Sequence, residues 1–479
     1  MSLGEKLSSD IIVTGAIRLA TQFRGLLFIP LIGKLLGISA YGVYVQVLVL
    51  TDLLASIFEF GLHAALIRYG QENSQDIADL YYSLVTFAVA SGVAVSIVTA
   101  VASFSVTELI LGDTTHANII LLGSALIPLR IFAKLSRNFF RIVMEIKTYS
   151  ILEGVKEYLS IGAVSFSILG LGWGLEGVIY SLIATELVVS GVVQYVIGRR
   201  IGYVFPSFVD LKRCLKYSLP LMGSIVAGEV SSRSDRLLIG MFLGAATVGV
   251  YSISYSIATF IMVYSTPLQA SFFPEVSRRV EAGQKDECKD LLRTGVRYFL
   301  MISVPSVVGM SLVGPHVIEI ISTAETAESS RLLLPIIAAG MVLWGLDELY
   351  GLIPVAEEET IKVSKIRGIA AGVNVLLNVA LVPTVGILGA AVSTLLAYGA
   401  SALWLYQKTN SEIDDKFDWP AATRIVAASG LMFVTAHLFF ISNFITTLFI
   451  APGIYFLGLV VLGEVRPFSL LSTYREIRS

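Results

Sequence analysis

Long apolar stretches alternate with short polar segments along all 479 residues of the chain. A helix that crosses a bilayer needs about 20 mostly apolar residues, and fourteen stretches reach that length. The predicted spans lie near residues 10–33, 41–67, 80–104, 117–140, 148–170, 175–198, 214–243, 248–272, 293–315, 331–356, 362–384, 387–407, 420–440 and 443–463. The pattern predicts an all-α, polytopic membrane protein with about 14 transmembrane helices.

The composition agrees with a membrane protein. Hydrophobic residues make up 55% of the chain and charged residues 15%, whereas soluble domains carry about 25% charged residues. The formal net charge of −2 argues against a nucleic-acid partner. Two cysteines and four scattered histidines predict neither a disulfide framework nor a metal site, so no cofactor is expected. The polar start, MSLGEKLSSD, predicts no cleavable signal peptide.

The positive charges of the short loops predict which side of the membrane each loop faces. With the N-terminus inside, nearly all loop lysines and arginines fall on the inner side, and Lys34 and Arg331 are the exceptions. The inner clusters include Lys134, Arg137, Arg141 and Lys147; Arg199, Arg200, Lys212 and Arg213; and Arg278, Arg279, Lys285 and Lys289. We therefore expect a multi-pass protein of the cell membrane with both termini, and both cysteines, on the cytoplasmic side.

Two pairs of glycine-rich turns indicate an internal duplication. The segment LLGISAYGVYVQ matches FLGAATVGVYSI, with Gly37 and Gly244 at an offset of 207 residues. The segment GLEGV from Gly174 matches GILGA from Gly386 at an offset of 212 residues. Each pair lies in the corresponding outer turn of two sets of six predicted spans. We expect two parallel repeats, and transporters built from repeats place their substrate site at the repeat interface.

Ionisable residues stand inside several predicted spans, where a charge costs roughly 3 kcal/mol or more unless it faces a cavity or a partner. Spans 1, 2 and 7 each carry polar residues at helical spacing, which places those residues on one face of each helix. Span 11 carries two asparagines four residues apart. The candidate substrate-binding residues are Arg18, Arg24, Asp52, Glu59, Arg233, Asp235, Arg236, Asn374 and Asn378.

Three segments, taken in order, resemble the polysaccharide flippases of the multidrug/oligosaccharidyl-lipid/polysaccharide exporter superfamily. They are GKLLGISAYGVY from Gly33; LLIGMFLGAATVGVYS after Asp235, followed by PLQASFFPEVSRR; and NVLLNVALVPTVGILGAAVST from Asn374. The resemblance implies a V-shaped, two-lobed bundle of two six-helix repeats plus two extra C-terminal helices. We expect an N-lobe at 1–205, a C-lobe at 206–410, and the last two helices with a cytoplasmic tail at 411–479.

The resemblance also implies a function. Proteins of this family move a lipid-linked oligosaccharide, on a prenyl phosphate or diphosphate carrier, across the cytoplasmic membrane by alternating access, for surface polysaccharide or glycoprotein assembly. Intramembrane arginines suit such a headgroup because a guanidinium binds phosphate oxygens bidentately and stays charged. The expected partners are this substrate, membrane lipids, and glycosyltransferases or polymerases. No P-loop motif is present and no covalent catalysis is indicated, so we expect a protein that is not an enzyme.

Two other functions stay open. An ion-coupled antiporter for drugs and other organic cations would use intramembrane carboxylates such as Asp52, Glu59, Glu186, Asp347 and Glu348. Intramembrane arginines would repel its cationic substrates. A membrane scaffold for a glycan-assembly complex, with no transport of its own, would not need charges at membrane depth.

Several candidate residues also have a purely structural explanation. Glu229 can neutralise Arg233 or Arg236 within span 7, since each pair is separated by one or two helical turns. Asn374 and Asn378 can bind sugars or can hold neighbouring helices together. The sequence leaves both explanations open.

The same ambiguity applies to other charges inside the spans. Lys156 can pair with Glu153 and Glu157 in span 5. Arg130 and Lys134 can extend along the helix surface to place their charges at the inner face of the membrane.

Overall fold

The structure, a computed structural model, describes residues 23, 25–72, 77–143, 145–413, 417–439 and 444–464. These residues form helices joined by short turns, and no strand occurs among them. Within this described part, ten helices are long and apolar enough to cross a membrane. The predicted all-α membrane fold is confirmed, and the count of about 14 spans stays a prediction.

The chain divides into two compact units, Met1–Ser252 and Ile253–Ser479. In the described residues of the first unit, the helices are α1 (Ile38–Phe58), α2 (Leu62–Glu72), α3 (Ile77–Val101), α4 (Ser103–Leu111), α5 (Ala117–Ser124), α6 (Leu126–Ile142), α7 (Ile146–Ser165), α8 (Gly174–Ile201), α9 (Leu211–Leu243) and the beginning of α10 (Ala245–Ala258). Two short π-helical segments, Ile29–Lys34 and Phe166–Gly170, precede α1 and follow α7.

The second unit continues from α10 through a short 3-10 turn at Thr259–Ile261. Its described helices are α11 (Met262–Glu281), α12 (Lys285–Ile321), α13 (Ala324–Ser330), α14 (Leu333–Tyr350), α15 (Leu352–Ala356), α16 (Thr360–Val385), α17 (Ile387–Ile413), α18 (Trp419–Phe439) and α19 (Phe444–Val461). Helix α14 packs against α12 and α17, and α18 packs against α12 and α19.

Helices α7 and α9 correspond to predicted spans 5 and 7, yet neither is among the ten strongly apolar helices. Polar and charged side chains interrupt both of them, and those side chains form the clusters described below. In the first unit, α9 packs against α1, α2 and α4, while α6, α7 and α8 pack against one another. The charged faces of these helices therefore meet inside the first unit.

Helix α1 ends in a sharp break. Phe60 and Gly61 both adopt left-handed backbone conformations, with φ values of 56° and 66°. A left-handed phenylalanine is strained, so the surrounding structure must hold it in place. The side chain of Glu59 contributes, because its carboxylate accepts a hydrogen bond from the backbone N–H of His63 at 3.2 Å. The break fixes Glu59 at the junction of α1 and α2.

Two glycines allow α1 and α10 to cross closely. A Cβ atom on Gly42 would lie 1.8 Å from the carbonyl oxygen of Ala245, and one on Gly249 would lie 2.4 Å from that of Ile38. The offset of 207 residues relates Gly42 to Gly249 and also Ile38 to Ala245. The contact is therefore reciprocal: on each helix, a glycine leaves space for a backbone carbonyl group of the other helix.

The matched turns before these helices also share a conformation. Gly37 precedes α1 with φ 101° and ψ 156°, and Gly244 precedes α10 with φ 82° and ψ 175°. Only glycine adopts this region readily. The turn and the crossing together agree with the duplication that the sequence predicts.

Both cysteines are buried. A thiol reagent would reach neither Cys214 nor Cys288 in the folded protein from either side of the membrane. Their cytoplasmic location stays a prediction.

Candidate functional site

Asp52, near the middle of α1, is the centre of a cluster of charges in the first unit. Its Oδ1 atom accepts a hydrogen bond from Arg130 of α6. Its Oδ2 atom accepts one from Nη1 of Arg233 in α9 at 2.8 Å. One carboxylate thus joins three helices, and each of its oxygens is bound by a different guanidinium.

Two further contacts orient the arginines. Nε of Arg233 donates to the carboxylate of Glu229 at 2.6 Å, one turn earlier on α9. Nη1 of Arg130 also donates to the backbone carbonyl of Leu48 at 3.2 Å. Asp52, Arg130, Glu229 and Arg233 form what we call the Asp52 cluster, in which two cations balance two anions.

The Asp52 cluster is half-open. The side chain of Asp52 is 32% exposed and that of Arg233 is 28% exposed. Exposure of this size allows a water molecule or a ligand to reach the charged atoms. The geometry suits reversible binding of an anion, because guanidinium groups bind carboxylate and phosphate oxygens in the same way.

The structure places other predicted residues of span 7 away from this cluster. Asp235 is almost fully buried and accepts a hydrogen bond from the hydroxyl group of Tyr251 in α10. Arg236 donates from Nη1 to the carbonyl oxygen of Ser232 at 3.0 Å. Arg233 is the arginine of α9 with a described hydrogen bond to Asp52.

Another close approach holds α9 in this position. The side-chain amide of Gln46 donates to the backbone carbonyl oxygens of Arg236 at 2.7 Å and Ile110 at 3.3 Å. A Cβ atom on Gly240 would lie 1.9 Å from the Gln46 amide nitrogen. Gly240 therefore has no side chain at the point where the amide of α1 approaches α9.

Glu59 lies at the end of α1 in a second, more buried cluster. Its side chain is 1% exposed and contacts Nδ1 of His63 at 2.8 Å and Nζ of Lys134 at 2.5 Å. The contact to Lys134 joins the end of α1 to α6. Glu59 is therefore a neighbour of the Asp52 cluster along the same two helices, with a separate set of partners.

The remaining predicted residues fall into two groups. Arg18 and Arg24 lie outside the described residues. Asn374 and Asn378 are buried in α16 of the second unit. The amide of Asn374 donates to the hydroxyl group of Thr394 in α17 at 3.3 Å, and that of Asn378 donates to Oδ1 of Asn374 at 3.1 Å. The contact with Thr394 joins two helices, as expected for interhelical packing, and a role in sugar binding stays a prediction.

Sequence reasoning gave Arg130 and Lys134 a different environment. Arg130 pairs with Asp52, and Lys134 pairs with Glu59. One signal in the sequence could have found them. Asp52 and Glu59 lie two helical turns apart in span 2, and Arg130 and Lys134 lie about one turn apart in span 4, so each span carries two charges of one sign that can pair with the charges of the other.

A third cluster lies between α6, α7 and α8. Arg137 contacts Glu153 at 2.5 Å and Glu186 at 3.5 Å. Lys156 lies 3.1 Å from Glu157 and 3.4 Å from Glu186. We call these five residues the Glu186 cluster. The expected pairing of Lys156 with the glutamates of α7 is confirmed, and the partners from α6 and α8 were not predicted.

A small cavity adjoins the Glu186 cluster. It has a volume of about 40 Å³, and its polar lining comes from Arg130, Lys156, Glu157, Ser160, Thr185 and Glu186. That volume is enough for one water molecule. In the described part of the chain, no group of three or more His, Cys, Asp and Glu side chains is placed to hold a metal ion.

Comparison with known proteins identifies the family. A family model described as "Polysaccharide biosynthesis protein" matches residues 31–331, more than half of the chain. The chain belongs to this family of polysaccharide biosynthesis proteins. The match covers all of the Asp52 cluster and the Glu186 cluster.

Two curated relatives of this polysaccharide biosynthesis protein come from Haloferax volcanii. "Probable low-salt glycan biosynthesis flippase Agl15" is 25% identical over 301 residues, which is 62% of this chain and 62% of the relative. "Probable flippase AglR" is 24% identical over 379 residues, which is 76% of this chain and 75% of the relative. The match to Agl15 thus spans less than two thirds of that relative's length.

Solved structures share the fold of this polysaccharide biosynthesis protein. The structure titled "Lipid II flippase MurJ, inward closed conformation" aligns with a TM-score of 0.78 at 16% identity and covers 98% of this chain and 99% of that chain. An inward-facing multidrug resistance MATE family transporter of the MOP superfamily aligns with a TM-score of 0.68 at 16% identity, covering 84% of this chain and 98% of that chain. At these identities the likeness concerns the fold alone.

Proposed function

We propose that the chain is a flippase that moves a lipid-linked oligosaccharide, on a prenyl phosphate or diphosphate carrier, across the cell membrane by alternating access. One observation carries the proposal: two arginines from different helices converge on a half-exposed site in the first unit. Family membership and relatives named as flippases support the same function. The chain would then serve surface polysaccharide or glycoprotein assembly.

In this proposal Arg130 and Arg233 hold the phosphate of the carrier. Their guanidinium groups come from α6 and α9, so a phosphate between them would contact both helices. Charge-assisted hydrogen bonds of this kind are about twice as strong as neutral ones. Glu59, Asp235 and Arg236 would act around this site through the helices that they hold in place, and Arg18 and Arg24 would add cationic charge from span 1.

The proposal extends to the organisation of the protein. An N-lobe at 1–205, a C-lobe at 206–410 and a C-terminal pair of helices at 411–479 would form the alternating-access machine. Both termini would lie on the cytoplasmic side, beside the glycosyltransferases or polymerases that make and use the substrate. The flippase would be a transporter and not an enzyme.

The test is transport in proteoliposomes that contain the purified full chain. A fluorescent lipid-linked oligosaccharide in the outer leaflet should become protected from a membrane-impermeant quencher faster than in vesicles without protein. A fluorescent organic cation, tested in matched vesicles, should not be transported. Transport of the cation alone would favour an antiporter, and transport of neither would favour a scaffold.

Matched arginine variants connect this assay to the site. Arg233→Gln should lower the rate of oligosaccharide transport, because it removes one of two cations that face the headgroup. Arg278→Gln is the control, since Arg278 is an exposed arginine that also pairs with a neighbouring glutamate, Glu275. Equal rates for both variants at equal protein abundance would contradict the proposed site.

A further inference from the structure

Both oxygens of the Asp52 carboxylate accept hydrogen bonds, each from an arginine of a different helix. Oδ1 is bound by Arg130, which is 78 residues away in sequence, and Oδ2 is bound by Arg233, which is 181 residues away. A carboxylate held in this manner presents two acceptor oxygens to two guanidinium groups. A phosphate group presents the same arrangement and carries at least as much negative charge.

The exposure of Asp52 makes exchange feasible. Because 32% of the side chain is exposed, Asp52 can turn toward water once its arginines are taken by another anion. A fully buried carboxylate, such as that of Glu59 at 1% exposure, would instead remain as an unpaired charge inside the protein, which is costly.

We propose that Asp52 occupies the position of the substrate phosphate and that the headgroup displaces it from Arg130 and Arg233. This inference rests on the proposed flippase function and adds a mechanism to it. In the unloaded protein, Asp52 keeps the two arginines together without mutual repulsion. When the phosphate arrives, Asp52 is released, and when the phosphate must leave, Asp52 competes for the arginines again.

Glu229 has a different role in this scheme. It lies four residues before Arg233 on the same helix and contacts that arginine through Nε, while Asp52 contacts Nη1. In the described contacts it does not reach Arg130. Glu229 therefore orients the guanidinium and stays in place when the phosphate binds, so it serves as a matched carboxylate for a test of displacement.

The experiment measures binding of inorganic pyrophosphate to the purified full chain in detergent, by isothermal titration calorimetry at fixed ionic strength. Asp52→Asn should bind pyrophosphate about tenfold more tightly than the wild type, since the competing charged hydrogen bonds are lost. Glu229→Gln removes a carboxylate of the same charge from Arg233, so a general electrostatic effect of the lost charge would raise the affinity in both variants, whereas displacement requires the carboxylate that binds both arginines. We expect a clearly smaller gain, about twofold, for Glu229→Gln.

The outcomes separate this inference from the proposed function. If pyrophosphate binds to the wild type and Asp52→Asn binds it no more tightly than Glu229→Gln does, displacement is wrong and the anion site stands. If no variant binds pyrophosphate, both the displacement and the anion site are overturned. Melting temperatures recorded for each variant show whether a loss of binding comes from a loss of fold.

A second ligand distinguishes a lipid headgroup from a free anion. Farnesyl diphosphate, added to the protein in nanodiscs, should compete with pyrophosphate and bind more tightly to both the wild type and Asp52→Asn. Exclusion of farnesyl diphosphate, with pyrophosphate still bound, would show that the site takes a soluble anion and would overturn the role of Asp52 in headgroup exchange.

Transport gives a final readout. In Asp52→Asn the substrate should bind more tightly, which lowers KM for the lipid-linked oligosaccharide. Its release should be slower, which lowers kcat. A structural role for Asp52 predicts lower abundance with KM unchanged, which would contradict the displacement.

Discussion

Two charged clusters of the first unit use the same residue types in different surroundings. The Asp52 cluster is half-open, and its Arg233 donates hydrogen bonds of 2.6 Å to Glu229 and 2.8 Å to Asp52. The Glu186 cluster is more buried at its centre: the side chains of Arg137 and Glu186 are 9% and 10% exposed, while Glu153 at its edge is 28% exposed. Both clusters place ion pairs within predicted membrane helices, and they differ in the exposure of their side chains.

Because the two clusters differ in exposure, removal of one charged side chain should destabilise the protein by a different amount in each. Removal of one partner from a buried ion pair leaves a charge that the protein cannot solvate, which costs about 3–5 kcal/mol. At a half-exposed pair, water replaces the lost partner and the cost is about 1 kcal/mol or less. Stability should therefore depend on the Glu186 cluster and transport on the Asp52 cluster.

The largest expected effect is on folding. Arg137→Gln should lower the free energy of unfolding by about 3–5 kcal/mol, because the buried carboxylate of Glu186 loses the cation that it shares with Glu153. The measurement is the melting temperature and the yield of purified protein. The companion change Glu186→Gln in the same chain should restore part of the loss, and a normal melting temperature for Arg137→Gln alone would remove the distinction between the clusters.

The second prediction concerns transport at normal abundance. Arg233→Ala should reduce oligosaccharide transport about tenfold or more, as expected from the loss of a charged hydrogen bond to the headgroup. Arg236→Ala should have a smaller effect, because the described contact of that guanidinium is to the carbonyl of Ser232. Transport rate and protein level are recorded together. Normal transport by Arg233→Ala would contradict the anion site.

Substitution of Glu59 should destabilise the protein by an amount between the values expected for the two clusters. Its carboxylate is buried while its partner Lys134 is 37% exposed, so Glu59→Gln should cost about 1–3 kcal/mol of stability. Lys134 can then turn to water. Chemical denaturation of the purified variant measures this loss, and a loss as large as that of Arg137→Gln would show that exposure of one partner does not relieve the other.

The smallest expected effect is at the cavity. The hydroxyl group of Thr185 is buried with no hydrogen-bond partner among the described residues, so Thr185→Val, which has nearly the same shape, should change stability by about 1 kcal/mol or less. Ser190→Ala, one turn further along α8, is the control because its hydroxyl group is likewise buried and without such a partner. A strong loss of transport in Thr185→Val alone would mean that the cavity has a functional role.

Many of the helices can be predicted from the sequence, because the length of an apolar segment can be read without knowing what the segment packs against. Helices α1, α3 and α8 lie where long apolar stretches predict spans. The polar face of span 2 likewise pointed to Asp52, and that of span 7 to Arg233. Periodicity identifies the face of a helix that carries charge, and both residues are in one cluster.

The partners of those residues could not be predicted in the same way. Arg130 binds Asp52 from 78 residues away, and helical spacing says nothing about which helix packs against a charged face. Arg233 and Arg236 lie only three residues apart, so their separate partners depend on how α9 is rotated against α1. That rotation is set in part by the contact between Gln46 and Gly240, which the sequence pattern does not specify.

The crossing at Gly42 and Gly249 has a consequence for the ancestry of the chain. Each of the two helices contributes one glycine and one carbonyl group to the crossing. Two copies of a single helix sequence would therefore be enough to form the contact. A gene encoding a single repeat would already specify both sides of this crossing in a pair of identical subunits. In a fusion of two such genes the contact would be complete before the chains are linked, and each glycine would admit the carbonyl of the other copy.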